Sequence, residues 1–213
     1  MSASCCDHDH THASGPGQDG YRRALWAVLI INAAMFAVEI AAGYAAGSAS
    51  LQADALDFFG DAANYAISLT VAGMALRYRA MAAMLKGVSM LAFGAWVTGT
   101  VIWHALHGTL PNAVTMGAIG FTALAANAAT FAILWAYRSG DANMRSAWIC
   151  TRNDVLGNLA VLLAAFGVFG TGTGWPDLIV AIVMAGLALQ GAILVLRQAR
   201  SELRVTATAA PAV

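Results

Sequence analysis

The sequence predicts an all-α, polytopic membrane protein: a bundle of six transmembrane helices with both termini in the cytoplasm. Three observations lead there. Of its 213 residues, 60% are hydrophobic and only 10% are charged, against about 25% charged in soluble domains. The apolar residues fall into six runs close to the ~20 residues that cross a bilayer core. The basic residues gather on one side of the resulting topology. Eleven Lys+Arg balance eleven Asp+Glu, so the bulk charge does not point to nucleic acid as a partner. Three cysteines are too few for a disulfide scaffold, and the apolar content excludes low-complexity disorder.

The first run, residues 24–46, is interrupted only by Asn32 and Glu39. It is too long and too far from the N-terminus for a cleavable signal peptide, and reads as a retained helix. The second, 50–76, carries its acids early and stops before Arg77. The third covers 87–106 and the fourth 113–137. The fifth, 143–170, contains Arg152 and Asp154, and the sixth is 175–196. Connections at 47–48, 77–86, 107–112, 139–141 and 171–174 are short, which implies antiparallel neighbours in a compact bundle. Residues 1–20 read as a disordered Cys/His-rich cytoplasmic tail, 21–200 as the six-helix domain and 201–213 as a short cytoplasmic tail.

Orientation follows from lysine and arginine. Arg22 and Arg23 precede helix one, and Arg77, Arg79 and Lys86 lie between helices two and three. Arg138 and Arg145 flank the fourth connection, while Arg197, Arg200 and Arg204 follow helix six. Alternating helices put all ten on one side, which the positive-inside rule makes cytoplasmic. Trp26, Trp103, Trp148 and Trp175 stand near helix ends, as an interfacial aromatic belt requires. His104 and His107 sit at the outer end of helix three, where packing beside Trp103 is favoured over a metal stop.

Charge inside a bilayer costs about 2.5 kcal/mol or more per residue, yet Glu39, Asp54, Asp57, Asp61, Arg152 and Asp154 fall within the runs. Asp54, Asp57 and Asp61, spaced three and four apart, share one helix face. Like charges so placed must bind a cation, bind protons or face water. Helix five offers Cys150 and Asp154 at i, i+4. Counted from opposite faces, both pairs lie roughly 10–17 Å deep at 1.5 Å per residue, so they meet near the midplane. Asp57, Asp61, Cys150 and Asp154 make a four-ligand set of the kind zinc accepts, where calcium and magnesium prefer six or more oxygens. Glu39 stands alone on helix one, equally suited to helix packing, proton carrying or ligation. Arg152 snorkels to the cytoplasm or neutralises Asp54 or Glu39. Cys5, Cys6, His8, His10 and His12 suit a metal-collecting tail.

The stretch Gly47-Ser-Ala-Ser-Leu-Gln-Ala-Asp54-Ala-Leu-Asp57-Phe-Phe-Gly-Asp61 resembles the second-helix signature of the cation diffusion facilitator family. That family carries a ligand pair four apart here and a second pair, usually His-x-x-x-Asp, at the place of Cys150 and Asp154. Asn143-Met-Arg145-Ser-Ala and Asp154-Val-Leu-Gly-Asn158 are similar to it as well. The resemblance implies a six-helix, usually dimeric exporter of Zn²⁺, or of Cd²⁺ or Co²⁺, from the cytoplasm by proton antiport. It implies a multi-pass protein of the bacterial inner membrane, with no enzymatic activity and no catalytic cofactor. Against the family pattern, the chain reads as a short form lacking the cytoplasmic domain that usually follows helix six. Cys150 in place of histidine leans towards Zn²⁺ or Cd²⁺ over Mn²⁺, and Asp54 is read as supporting the ligands.

Proton exchange also follows from the acids, since a carboxylate cluster holds either a dication or protons. Rocking of helix groups about a midplane site would alternate its access, and Gly94, Gly99, Gly117, Gly120 and Gly157 suit close helix contacts. Two other classes compete. An intramembrane aspartyl protease also uses two buried aspartates, but Leu56-Asp57 and Phe59-Gly60-Asp61 match neither of its motifs. A metal-independent proton-conducting or structural subunit would use the same acids.

Overall fold

The computed structural model describes residues 18–71, 74–137 and 142–208, with side chains throughout except at 18–19, 142–150, 152–153 and 205–208. The N-terminal Cys/His tail, Arg138, and the side chains of Arg145, Trp148, Cys150 and Arg152 lie outside what is described. Six helices account for nearly all the described residues: α1 (Gln18–Ala46), α2 (Ala49–Thr70), α3 (Leu76–His107), α4 (Ala113–Trp135), α5 (Ala142–Thr171) and α6 (Trp175–Thr208).

Five of them, all but α2, are long and apolar enough to cross a membrane. α2 carries three aspartates, and its place in the bundle explains how it can. It packs against each of the other five helices. Around it α1 meets α4, α4 meets α5, α5 meets α6 and α6 meets α3, and the ring is bridged from α1 to α3 by an edge-on contact of Phe36 with Phe93, centroids 5.9 Å apart. The first eight residues of α2, Ala49 through Leu56, are all buried. A 22-residue helix is roughly 33 Å long, sufficient to span, and its polar face meets protein rather than lipid.

Turn chemistry fixes the helix ends. Gly47, Gly108 and Gly172 adopt positive φ of 64°, 65° and 64°, which stops α1, α3 and α5 without the clash a Cβ would bring. Ser48 caps α2 by accepting from the Leu51 amide at 3.2 Å, and Asn112 caps α4 by accepting from Thr115 at 3.0 Å. The α1–α2 and α3–α4 turns are tied together by the Asn112 amide donating to the Ala46 carbonyl at 2.9 Å.

Two boundaries differ from the sequence reading. α2 ends at Thr70 and α3 begins at Leu76, so the whole of the expected connection at 77–86 is helix. The stretch Leu76-Arg-Tyr-Arg-Ala-Met-Ala-Ala-Met-Leu-Lys86 is made mostly of strong helix formers and has no Gly or Pro, whereas hydropathy marks only the apolar part that follows. For the same reason α6 continues past Leu196 to Thr208. Lys86 therefore points into the bundle, 5% exposed, and is no loop charge. The small-residue expectation holds at Gly94, whose missing Cβ is replaced by Leu189, and at Gly120 beside Leu162, but Gly99 and Gly117 face open space.

Candidate metal site

The 3,4 spacing on α2 and the antiparallel run of α5 bring acids from the two helices together. Asp154 lies within hydrogen-bonding reach of both Asp57 and Asp61. Asp154 is buried and its Oδ2 has no hydrogen-bond partner among the described residues. Asp57 and Asp61 keep partial exposure, so space remains beside the cluster. The expected fourth member, Cys150, is on α5 one turn before Asp154; its side chain lies outside the described residues. Among the described residues, no group of three or more His, Cys, Asp and Glu is arranged to hold a metal ion.

The layer one turn along α2 from Asp61 is uncharged on α2 itself but touches a cation. The Lys86 ammonium donates to Asn64 Oδ1, and its charge acts on Asp57 and Asp61. Tyr65 and Thr151 share a hydrogen bond at 3.2 Å, joining α2 to α5. Tyr65 also packs with Tyr21, Leu25, Val28 and Leu134 in an apolar cluster. On this side the acids are therefore capped by polar links and then by hydrocarbon.

The layer on the other side is a hydrogen-bonded chain across α2, α5 and α4. Asn158 donates to both oxygens of Asp54, at 2.9 and 3.2 Å, and accepts from Asn127 at 3.4 Å. Asp54 thus has an amide partner on α5 and is one turn from the Asp57 level. Glu39 does not stand alone: it faces Asp54 across the α1–α2 contact. Further out, Gln52 accepts from Thr100 at 3.4 Å at the edge of a cleft of about 360 Å³ lined by Tyr44, Trp96, Trp103 and His104. His107 stacks on Trp103 with centroids 3.8 Å apart and bonds its carbonyl at 2.9 Å, so it packs at the helix end as expected.

Lys86, Asn127 and Asp177 are not singled out by sequence as members of a site. Lys86 has apolar Met84, Leu85 and Val88 about it, but it ends a stretch holding Arg77 and Arg79 and so reads as part of a basic connection. Asn158 stands four residues after Asp154, the same helical spacing that picks out the acids.

Residues 25–204 match the profile of the cation efflux transmembrane domain. The chain is 26% identical over 215 residues to the zinc transporter ZitB of Escherichia coli (strain K12), covering 92% of this chain and 67% of that protein. It is 25% identical over 213 residues to ZitB of Pectobacterium atrosepticum, covering 92% of this chain and 64% of the relative. It is 23% identical over 202 residues to a cadmium, cobalt and zinc/H(+)-K(+) antiporter of Bacillus velezensis, covering 86% and 62%. The chain spans about two thirds of the length of these curated relatives. The matched range runs through all six helices, which sets the protease reading aside. With five apolar helices around a polar sixth, the chain belongs to the cation efflux family and is a multi-pass transporter of the inner membrane, not an enzyme.

Proposed function

We propose that this chain exports a divalent transition metal ion, Zn²⁺ first and Cd²⁺ or Co²⁺ after it, from the cytoplasm in exchange for protons. The observation that carries this reading is the meeting of Asp154 with Asp57 and Asp61 beside the central helix of the bundle. Three carboxylates in so little space need positive charge, and a dication or protons supply it interchangeably. Asp57, Asp61 and Asp154 bind the ion together with Cys150, whose helix position one turn from Asp154 suits a thiolate ligand. Loading draws the carboxylates away from one another and around the ion. The names of the relatives, zinc transporter and cadmium, cobalt and zinc antiporter, support the substrate class and the exchange.

In this reading both termini are cytoplasmic, because Arg22, Arg23, Arg77, Arg79, Arg197, Arg200 and Arg204 fall at one end of the alternating helices. The protein acts as a homodimer, as the family resemblance implies. The test is Zn²⁺ and Cd²⁺ binding by calorimetry to the wild type and to Asp61→Ala, paired with flux into proteoliposomes holding a pH-sensitive dye. Binding and counter-flow of protons in the wild type, both lost in Asp61→Ala, are expected. Binding that survives the substitution unchanged would remove Asp61 from the site, and flux without a pH change would remove the exchange.

A further inference from the structure

Glu39 and Asp54 form a second acidic centre apart from the three carboxylates assigned to the metal. Both are 0% exposed, and they lie within hydrogen-bonding reach of each other across the α1–α2 contact. Asp54 has its donor in Asn158. Glu39 has none: neither of its carboxyl oxygens meets an N–H or O–H among the described residues. Nor does an ionised Asp54 offer one, since two carboxylates facing each other have only acceptors.

The surrounding charges do not resolve this. On α2 the nearest ionisable neighbour is Asp57, of the same sign. On α5 Asp154 is engaged with Asp57 and Asp61. The Lys86 ammonium on α3 bonds Asn64 and acts on Asp57 and Asp61. Asp177 on α6 is held by Ser48 and Ser50, and α4, which packs on α1, has no ionisable side chain. The Arg152 side chain lies outside the described residues. Two bare anions in contact in such an interior are strongly disfavoured. A single proton between them removes one charge and supplies the missing hydrogen bond.

We propose that Glu39 and Asp54 share one proton, and that this pair is a second proton-binding site of the exchange, in addition to the carboxylates that bind the metal. The proposal rests on the metal–proton exchange put forward above. When a dication enters among Asp57, Asp61 and Asp154, its charge lies about one turn along α2 from Asp54. The O–H bond of the shared carboxyl then breaks, the proton passes to water, and both carboxylates remain ionised beside the ion. When the ion leaves, the pair takes a proton back; no electrons change hands. An alkali cation is a poorer occupant, because Asn158 presents its amide hydrogens to Asp54 and its oxygen to Asn127.

The experiment uses the full chain in lipid vesicles with Zn²⁺ as the probe. Infrared difference spectra, metal-free minus Zn²⁺-loaded, should show protonated-carboxyl carbonyl absorption in the wild type that shifts in D₂O and loses one component in Glu39→Gln. Calorimetry in buffers of different protonation enthalpy should show Glu39→Gln releasing about one proton fewer per ion, with a Zn²⁺ affinity that varies less steeply with pH than the wild type's. Asp54→Asn serves as the second variant, with the same expectation for the band. Carboxyl absorption undiminished in both variants, proton release unchanged in Glu39→Gln, or counter-flow carried by K⁺ with no protons overturns the proposal. A wild type that binds no Zn²⁺ instead overturns the metal reading, and the carboxyl band of the metal-free chain still decides the shared proton.

Discussion

Ser50 donates to Asp177 twice, from its hydroxyl at 2.6 Å and from its amide at 3.0 Å, and so binds the start of α2 to the start of α6. The same carboxylate accepts from Ser48 Oγ at 2.7 Å and from the Ala49 amide at 2.8 Å. A helix begins with unsatisfied amides and partial positive charge, and here a residue 127 positions away in sequence satisfies them. The depth of Asp57 and Asp61 in the bundle is measured from this anchor.

Asp177→Ala leaves two hydroxyls and two amides of the α2 turn without their acceptor. Losing charged hydrogen bonds in a buried site costs about 3 kcal/mol, so the variant in detergent should melt several degrees below wild type. Asp177→Asn keeps one acceptor oxygen and should lose roughly half as much. Equal melting midpoints for Asp177→Ala and wild type would show that the turn is held by other contacts.

Lys86 is a fixed positive charge beside acids that are proposed to bind a dication. It lowers their negative potential and repels the ion, so its removal should strengthen binding. Lys86→Gln, which still reaches Asn64 with an amide, is expected to bind Zn²⁺ about tenfold more tightly, equivalent to ~1.4 kcal/mol of relieved repulsion. Release should slow in step, and flux should fall at saturating metal. Calorimetry and proteoliposome flux on the same preparation check both. Unchanged or weaker binding would mean that Lys86 holds the helices and does not tune the site.

The contrast between Lys86 and Asp154 shows what a sequence of this kind displays. Asp154 lies in an apolar run four residues after Cys150, and helical spacing plus depth is enough to place it opposite Asp57 and Asp61. Lys86 ends a stretch containing Arg77 and Arg79, and hydropathy cannot tell a basic loop from a basic helix turn. Glu39 reads as solitary in the chain because its partner is on another helix, and helix-to-helix register depends on packing such as Gly43 against Gln52. Asp177 reads as an ordinary acid in the first turn of its own helix, which it also is. Its partners Ser48 and Ser50 are small polar residues whose pattern carries no direction. Spacing within one helix is readable from the chain; pairing between helices is set in three dimensions.

The glycines separate along the same line. A Cβ on Gly174 would stand 2.4 Å from the Thr109 carbonyl oxygen, a backbone atom held in the α3–α4 turn. Gly174→Ala must therefore displace a turn and should cost about 2 kcal/mol or more. Gly99 has nothing within 4 Å of the same position, so Gly99→Ala should stabilise α3 by ~0.5–1 kcal/mol through helix propensity alone. Thermal unfolding of the two variants in one detergent should move in opposite directions. A loss at Gly99 would mean that its open face is covered in the membrane, by a second copy or by lipid.

Cys150 supplies the last prediction. Its place on α5 is one turn from Asp154, and in the proposed site it is the fourth ligand beside the aspartates. Thiolate is the softer donor and favours Cd²⁺, while imidazole suits Zn²⁺. Cys150→His should therefore retain transport and move the Zn²⁺-to-Cd²⁺ preference towards Zn²⁺ by on the order of tenfold. Cys150→Ser, small and hard, should weaken binding of both ions. The check is competitive uptake of the two metals into vesicles at fixed pH, with binding measured alongside to separate affinity from turnover. Selectivity that stays the same in Cys150→His, with binding intact in Cys150→Ser, would leave the three aspartates as the whole ligand set.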